Sequence, residues 1–316
     1  MSSSCSISTT TRCDGSRFAE RLSVAIIINP IAGGARPAVA RTKAQLALSI
    51  VDQHGDQAEV FITEGVGHAR DLAKAAVGRG ARLVMAWGGD GTINEVASAL
   101  AFDEVPLGII PAGSGNGLAR ELGVHPRPER AIADALAAEP RPMDLGEIEG
   151  RLFANTAGAG FDAHIASRFA ASRRRGFLGY AGITARALAD YVPLTYRITT
   201  QSGIVDVRAV LVTIANSAQF GNGALIAPGA KVDDGVLDLV VVEERSRFAT
   251  VCQVPRLFNG TVGRIRGCTI RQIERATIEA DRPMTFHVDG EAITGGTRLA
   301  VRVHPSALRV AVKPRR

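Results

Sequence analysis

Between residues 24 and 117 the chain alternates four times between a short apolar run and a glycine-bearing or polar exit, and this alternation constrains the fold more than any other feature. The runs at 24–28 (VAIII), 59–62 (EVFI), 83–87 (LVMAW) and 106–110 (PLGII) are of strand length. The first is β-branched at four positions, as expected of a strand buried on both faces of a parallel sheet. Helical spacing fills the intervals, with Val39, Leu46 and Ile50 in the first and Ala69, Leu72, Ala73, Ala76 and Val77 in the second. Repeated βα units of this length predict a parallel α/β sheet. Right-handed crossovers then bring every strand exit to one edge, where such sheets bind ligands.

Three of the four exits are rich in glycine. They read Asn29-Pro30-Ile31-Ala32-Gly33-Gly34, Gly88-Gly89-Asp90-Gly91-Thr92 and Pro111-Ala112-Gly113-Ser114-Gly115-Asn116-Gly117; the remaining exit offers Thr63. Glycines between a strand and a helix start leave backbone N–H groups pointing at one spot, with the positive helix end behind them, which suits phosphate. Thr92 and Glu95 have the T-x-x-E spacing of a capping box, so the spacing predicts a helix starting at Thr92. No G-K-[ST] follows any exit, which excludes a Walker P-loop. GSGNG is half a dinucleotide fingerprint without the second-strand acid. Asp90 is an unusual choice among anion-seeking groups: it either caps a neighbouring N–H or faces a divalent cation lying against the phosphates.

Bulk properties narrow the partners. The 316 residues carry 37 basic and 31 acidic side chains, a formal net charge of +6, which favours anionic ligands or an anionic lipid surface. Aromatic residues make up only 5%, which argues against a base-stacking surface and hence against nucleic acid. Cys5, Cys13, Cys252 and Cys268 show no CxxC spacing and fit a reducing compartment. Residues 1–21 are Ser/Thr-rich without the apolar core of a signal peptide and read as a disordered tail. The expected location is cytoplasmic, peripheral to a membrane.

After residue 143 the texture changes. Residues 145–155 alternate around Glu149-Gly150, which predicts a hairpin, and residues 163–191 are mainly helical in pattern. Strand-like runs follow at 196–200, 207–214, 237–242, 269–279, 285–288, 298–303 and 308–312. Short strands in such series predict an antiparallel sandwich or open barrel. The expected organisation is an α/β domain over 22–143 and a β-rich domain over 144–316, whose last strand is free to return to the first.

Three further stretches carry chemistry. In His287-Val288-Asp289-Gly290-Glu291 a D-G turn exposes two acids, and a hydroxyl attacking a phosphoryl group needs such a carboxylate to take its proton. Asp289 and Glu291 are not separated by spacing. Asp233-Asp234-Gly235-Val236-Leu237-Asp238 reads locally as a turn, too short for a calcium loop. Arg173-Arg174-Arg175-Gly176-Phe177-Leu178-Gly179-Tyr180 is either a solvated helix end or a membrane-surface contact. The remaining histidines show no metal-ligand spacing.

In order, Asn29-Pro30 with Gly33, GGDGT at 88–92 with Asn94-Glu95, PAGSGN at 111–116, DGVLDL at 234–239 and DGE at 289–291 resemble the diacylglycerol kinase and sphingosine kinase family of lipid kinases. The bacterial soluble members are most similar. The resemblance spans residues 23–312. It implies an α/β nucleotide-binding domain with a mostly parallel sheet, a β-sandwich-like second domain, and an active site in the cleft between them. It implies ATP binding by Asn29, Pro30, Ile31, Ala32, Gly33, Thr63, Gly88, Gly89, Asp90, Gly91, Thr92, Ile93, Asn94 and Ser114. The same likeness makes Asp289 and Glu291 the catalytic acids, one of them the proton acceptor, and Asp90 is the third catalytic candidate. It places Mg²⁺ on Asp234 with backbone oxygens of Lys231 and Val236. Two positions depart from many bacterial diacylglycerol kinases: Gly117 stands where they carry aspartate and Ser114 where they usually carry threonine. GSGN is more similar to the sphingosine kinase branch.

The reading is an ATP- and Mg²⁺-dependent kinase that phosphorylates a lipid hydroxyl, diacylglycerol or a relative, at the membrane surface, with a homodimer left open. A sphingoid-base kinase, a soluble-substrate kinase of the NAD kinase type and a non-catalytic lipid or nucleotide sensor are the rivals.

Overall fold

The structure is a computed structural model that describes residues 24–35, 38–171, 190–221, 223–246 and 253–313. The tail at 1–21 and the basic cluster at 173–180 lie outside the described residues. The chain divides into two units, Met1–Pro142 with Leu308–Arg316 and Met143–Ala307.

The first unit is built on β1 (Val24–Ile28), β2 (Ala58–Ile62), β3 (Leu83–Gly88) and β4 (Leu107–Pro111), in the order β2-β1-β3-β4 and parallel throughout. Every residue of β1 and β3 is buried, which is why both runs are apolar without alternation. Helices α1 (Val39–Gln53), α2 (His68–Gly78), α3 (Asp90–Leu100), α4 (Gly117–Glu121) and α5 (Pro128–Ala137) connect and cover the strands. Their buried faces are largely alanine: Ala44 and Ala47 of α1 join Ala131 and Ala135 of α5 in one core with Ile26, Met85 and Trp87. Small side chains let helices lie close to the sheet, and Gly108 of β4 shows how close. A Cβ there would stand 2.9 Å from Met85 Cγ and 3.3 Å from Ala135 Cβ.

The structure corrects the reading of α3. The helix begins at Asp90 with Gly89 as N-cap, so Thr92 lies inside its first turn and is buried. Thr92 and Glu95 have the spacing of a capping box, but both side chains are spent on other segments.

The second unit begins with the expected hairpin. β5 (Arg141–Ile148) and β6 (Arg151–Phe153) pair antiparallel across Glu149 and Gly150, which have φ of +49° and +74°. Two consecutive positive φ values make the mirror-image turn that matches strand twist. β7 (Thr156–Gly160) runs into α6 (Phe161–Ala171), after which come β8 (Leu194–Thr200) and the long β9 (Gly203–Ala215). The remaining main strands are β12 (Leu237–Glu243), β13 (Cys268–Ile273), β14 (Arg275–Ala280), β15 (Thr285–Val288), β16 (Glu291–Thr294) and β17 (Arg298–Val310), after a small hairpin of β10 (Gln219–Gly221) and β11 (Ala224–Leu225). Antiparallel pairing gives the order β16-β15-β7-β9-β8-β14-β17, with β12 and β13 branching from β9. Tyr196, Phe153, Ile198, Ile278 and Leu299 fill its core.

Two strand boundaries differ from expectation. The run at 269–279 divides at Glu274 because its halves have different partners, β13 on β12 and β14 between β8 and β17. The runs at 298–303 and 308–312 fuse into β17. Pro305 and Ser306 suggest a break, but the Ser306 N–H is taken by Asp144 at 2.7 Å, so the strand continues through a residue at φ +53°.

Candidate active site

The exits of β1, β3 and β4 are stitched together in the first unit. Asn29 N–H donates to the carbonyl of Trp87 at 2.9 Å, and the Asn29 amide donates to Thr92 Oγ at 3.0 Å. Asn29 Oδ1 accepts from Ile31 N–H at 3.1 Å, folding the loop back over the strand end. Gly33 sits at φ +69°, and a Cβ there would meet the Ala112 carbonyl oxygen at 2.4 Å. Gly88 has no room for a side chain because Thr92 packs on it. A Cβ on Gly113 would fall 2.7 Å from Gly89 Cα. These glycines therefore bring three backbones to contact distance, while nothing lies within 4 Å of a Cβ at Gly91.

Asp90 joins the same construction. Its carboxylate accepts from the N–H groups of Asn116 at 2.9 Å and Gly117 at 2.8 Å. Asn116, at φ +48°, returns both ends of its amide to Gly113, with bonds of 2.8 and 2.9 Å. The cap alternative foreseen for Asp90 is thus present. Glu95 accepts from Gly67 N–H at 2.8 Å and Ala69 N–H at 3.1 Å, so it caps α2 and holds the segment after Thr63 to α3. Thr63 N–H donates to Ile28. Of the expected ATP contacts, Ile31 and Ser114 are exposed, Pro30, Ala32 and Asn94 are half-buried, and Ile93 is buried. Ile93 faces the core, leaving only its backbone for a ligand.

In the second unit Asp289 and Gly290 form the two-residue turn between β15 and β16, with φ of +45° and +87°. The Asp289 carboxylate takes three successive amides, Ala154, Asn155 and Thr156, each at 2.9 Å, and its own N–H donates to the Thr156 carbonyl at 2.8 Å. Backbone amides lined up this way form an anion nest. Asp289 fills it from within the chain, and Glu291 next to the turn is exposed.

Behind the turn, His287 and Asp162 are both almost wholly buried, with Nε2 of the histidine 3.1 Å from Asp162 Oδ2. Thr213 Oγ donates to the same oxygen at 2.8 Å, and His287 Nδ1 accepts from Gly290 N–H at 3.4 Å. With Nδ1 accepting, the ring proton sits on Nε2 and points at Asp162. Asp162 also borders a cavity of about 460 Å³, lined by Phe161, Ile165, Val210, Phe220 and Leu257. Its volume and apolar walls suit a small hydrophobic ligand.

The loop at 231–236 is tied down by Asp144, whose carboxylate accepts from Gly235 N–H at 2.6 Å and whose N–H donates to Val232. Asp234 and Lys231 are exposed, and Val236 is half-buried. Burial, and then the charge of Asp234, raises the Asp238 carboxyl above its ordinary range. A carboxylate with neighbouring carbonyls supplies the hard oxygen donors that Mg²⁺ takes, water completing the shell. Among the described residues no three His, Cys, Asp or Glu side chains group into a metal centre, so a cation here relies on those carbonyls.

Four working residues escaped the sequence reading: Glu95 as a cap for α2, Asp144, Asp162, and Asn216, whose amide donates to the carbonyls of Asp144 and Ala154. Asp144 and Asp162 were signalled only as acids in otherwise apolar runs, Asn216 by nothing, and the spacing of Glu95 pointed to a different cap.

A parallel α/β unit with amide-lined exits, and a β-rich unit bearing an exposed acid beside a clamped turn, supply the kinds of groups that phosphoryl transfer to an alcohol uses. Residues 23–148 match the diacylglycerol kinase catalytic domain, and residues 155–312 match the YegS C-terminal NAD kinase beta sandwich-like domain. The chain is 31% identical over 285 residues to a diacylglycerol kinase of Mycobacterium tuberculosis, covering 84% of each. It is 30% identical over 277 residues to a probable lipid kinase YegS-like of Pseudomonas aeruginosa, covering 84% of this chain and 87% of that one. A solved diacylglycerol kinase structure from Bacillus anthracis aligns with a TM-score of 0.69 at 21% identity, over 94% of this chain and 99% of that one, which supports the fold. The chain belongs to the diacylglycerol kinase and YegS-like family and is a lipid kinase. Among the described residues no helix is long and apolar enough to cross a membrane.

Proposed function

We propose that the protein transfers the γ-phosphoryl group of ATP to the hydroxyl of diacylglycerol or a closely related lipid, with Mg²⁺. The observation that carries this reading is the division of labour at the 289–291 turn. Asp289 spends its carboxylate on three amides, and Glu291 stands exposed beside it. Glu291 is then the proton acceptor for the attacking hydroxyl, and Asp289 the residue that sets the turn. One of the two acids left unseparated by spacing is thereby assigned to each task.

The exits around Asn29, Gly33, Thr63, Gly88–Thr92, Asn94 and Ser114 hold the triphosphate through backbone N–H groups and hydroxyls, which positions it without a Walker lysine. Asp90 serves by fixing the 113–117 exit rather than by meeting phosphate directly. Mg²⁺ at Asp234, with the carbonyls of Lys231 and Val236, stabilises the loop that Asp144 anchors. A Mg²⁺ bound with ATP would supply charge compensation for the phosphates. The 460 Å³ cavity takes acyl chain, which favours a lipid over the soluble acceptor of an NAD kinase. The name of the Mycobacterium tuberculosis relative supports diacylglycerol, and a cytoplasmic protein working peripherally at the membrane fits this acceptor.

The test is purified protein with γ-labelled ATP and Mg²⁺ against diacylglycerol, a sphingoid base and NAD, the lipids in mixed detergent micelles. Label in diacylglycerol is expected. Label in NAD overturns the lipid reading, label in the sphingoid base alone reassigns the acceptor, and ATP binding without transfer to any acceptor leaves a sensor.

A further inference from the structure

The mouth of the apolar cavity lies in a stretch with an unusual charge pattern. Between residues 245 and 273 there are six arginines (Arg245, Arg247, Arg256, Arg264, Arg266 and Arg271) and no aspartate or glutamate, so this stretch alone carries +6, as much as the whole chain. Elsewhere in the same unit Arg197, Arg208 and Arg302 are each paired with a carboxylate. Among the described residues Arg256, Arg264, Arg266 and Arg271 are in no ion pair. The last three are exposed. Val254 and Phe258, at the two ends of the single helical turn Pro255–Phe258, line the cavity and are 40% and 50% exposed.

Guanidinium groups are well hydrated in water, but here they share one stretch with exposed apolar side chains, whose contact with water is unfavourable. The arrangement is complementary to an interface with phosphates outside and hydrocarbon beneath. We propose that this lip docks on an anionic phospholipid bilayer, its arginines on lipid phosphates and Val254 and Phe258 entering the acyl boundary. Docking there opens the cavity toward the bilayer, the source of its occupant. This rests on the lipid-kinase reading for its purpose, while the stretch is separate in sequence from the basic cluster at 173–180. Charge complementarity favours a bilayer over RNA, since among the described residues Phe258 is the one aromatic residue exposed at the lip and offers no platform for successive bases.

The experiment is sedimentation of the full chain with vesicles of phosphatidylcholine alone or mixed with phosphatidylglycerol, over a salt series. Binding is expected only to the mixed vesicles and weakens as salt rises. An arginine near an anionic surface contributes roughly fivefold in affinity, so Arg256→Gln with Arg264→Gln should lower vesicle affinity about 25-fold. Neither residue lines the cavity, and transfer to lipid in detergent micelles should persist in the double variant. Equal binding to neutral vesicles, no vesicle binding, an unchanged double variant, or tighter binding to RNA than to mixed vesicles would each overturn the proposal. Absence of transfer by the wild type in micelles counts instead against the kinase reading and leaves the vesicle result standing.

Discussion

One carboxylate oxygen of Asp289 accepts the N–H of Asn155 at 2.9 Å, so a residue in the β15–β16 turn fixes backbone 134 positions earlier in the chain. The same oxygen takes the Thr156 amide, and its partner oxygen takes that of Ala154. Bonds of this kind, with an ionised acceptor, are stronger than neutral ones and hold the turn in its positive-φ geometry.

Asp289 and Glu291 should consequently differ when neutralised. Asp289→Asn turns an amide N–H toward backbone N–H groups and should cost about 2–4 kcal/mol, read as a lower melting temperature along with reduced turnover. Glu291→Gln should leave melting unchanged and cut kcat about 10²–10⁴-fold, the usual contribution of a general base. Full turnover in Glu291→Gln would move the base role elsewhere.

Asp90→Ala removes the acceptor for two amides of the 116–117 segment. Loss of about 1–3 kcal/mol per stranded buried donor is expected, with a raised KM for ATP as the 113–117 exit loosens. Thermal melts and ATP titrations of kinase rate check both, and an unaltered KM would detach Asp90 from the nucleotide site.

Gly113→Ala tests the contact between exits. The added Cβ would fall 2.7 Å from Gly89 Cα and 2.9 Å from Asn116 Oδ1, so backbone must move. Overpacking of this sort costs about 1–3 kcal/mol. Gly91→Ala has open space and serves as the control: its melting temperature should stay within a degree or so of wild type while that of Gly113→Ala drops by several.

Glu147 makes stability depend on acid pH. Burial pushes its carboxyl up, but hydrogen bonds and charge from Arg302 and His304 outweigh this and hold it below the ordinary value of 4.5. A depressed carboxyl stabilises the fold above its unfolded value, and that contribution is lost as pH falls through the folded one. Glu147→Gln should thus destabilise by about 1 kcal/mol at neutral pH, with the gap closing in acid urea melts. A gap that widens in acid would contradict the assignment.

Mg²⁺ should raise the melting temperature of the wild type in the absence of ATP. A ligand at a hundred times its Kd adds about 2.7 kcal/mol to stability. Asp234→Ala should abolish that increment and leave the metal-free melting temperature close to wild type; an increment that survives would remove Asp234 from the metal site.

The parallel sheet was legible residue by residue. Strand β1 occupies the five positions its apolar run predicts, since a strand buried on both faces must be apolar throughout and the chain needs no distant partner to show it. The glycine exits were legible for a related reason: only glycine permits the approach of Gly113 to Gly89, so the requirement is written as the residue itself. The division at Glu274 was not visible, because local propensity on either side is the same and only the partner strands differ.

For polar side chains the limit is sharper. Thr92 and Glu95 have the spacing of a local cap, yet Thr92 goes to Asn29 across 63 residues and Glu95 to Gly67 across 28. Asp144, Asp162 and Asn216 carry no motif at all, although each organises backbone or side chains far away in the chain. A hydrogen bond is a relation between two groups, and spacing along one strand records only one of them. Sequence alone therefore determined the strands of the parallel sheet, where the glycine-rich bends lie and which acids stand beside a turn. Tertiary structure decided which carboxylate is consumed as scaffold and which is left exposed, because that choice depends on which distant amides reach it.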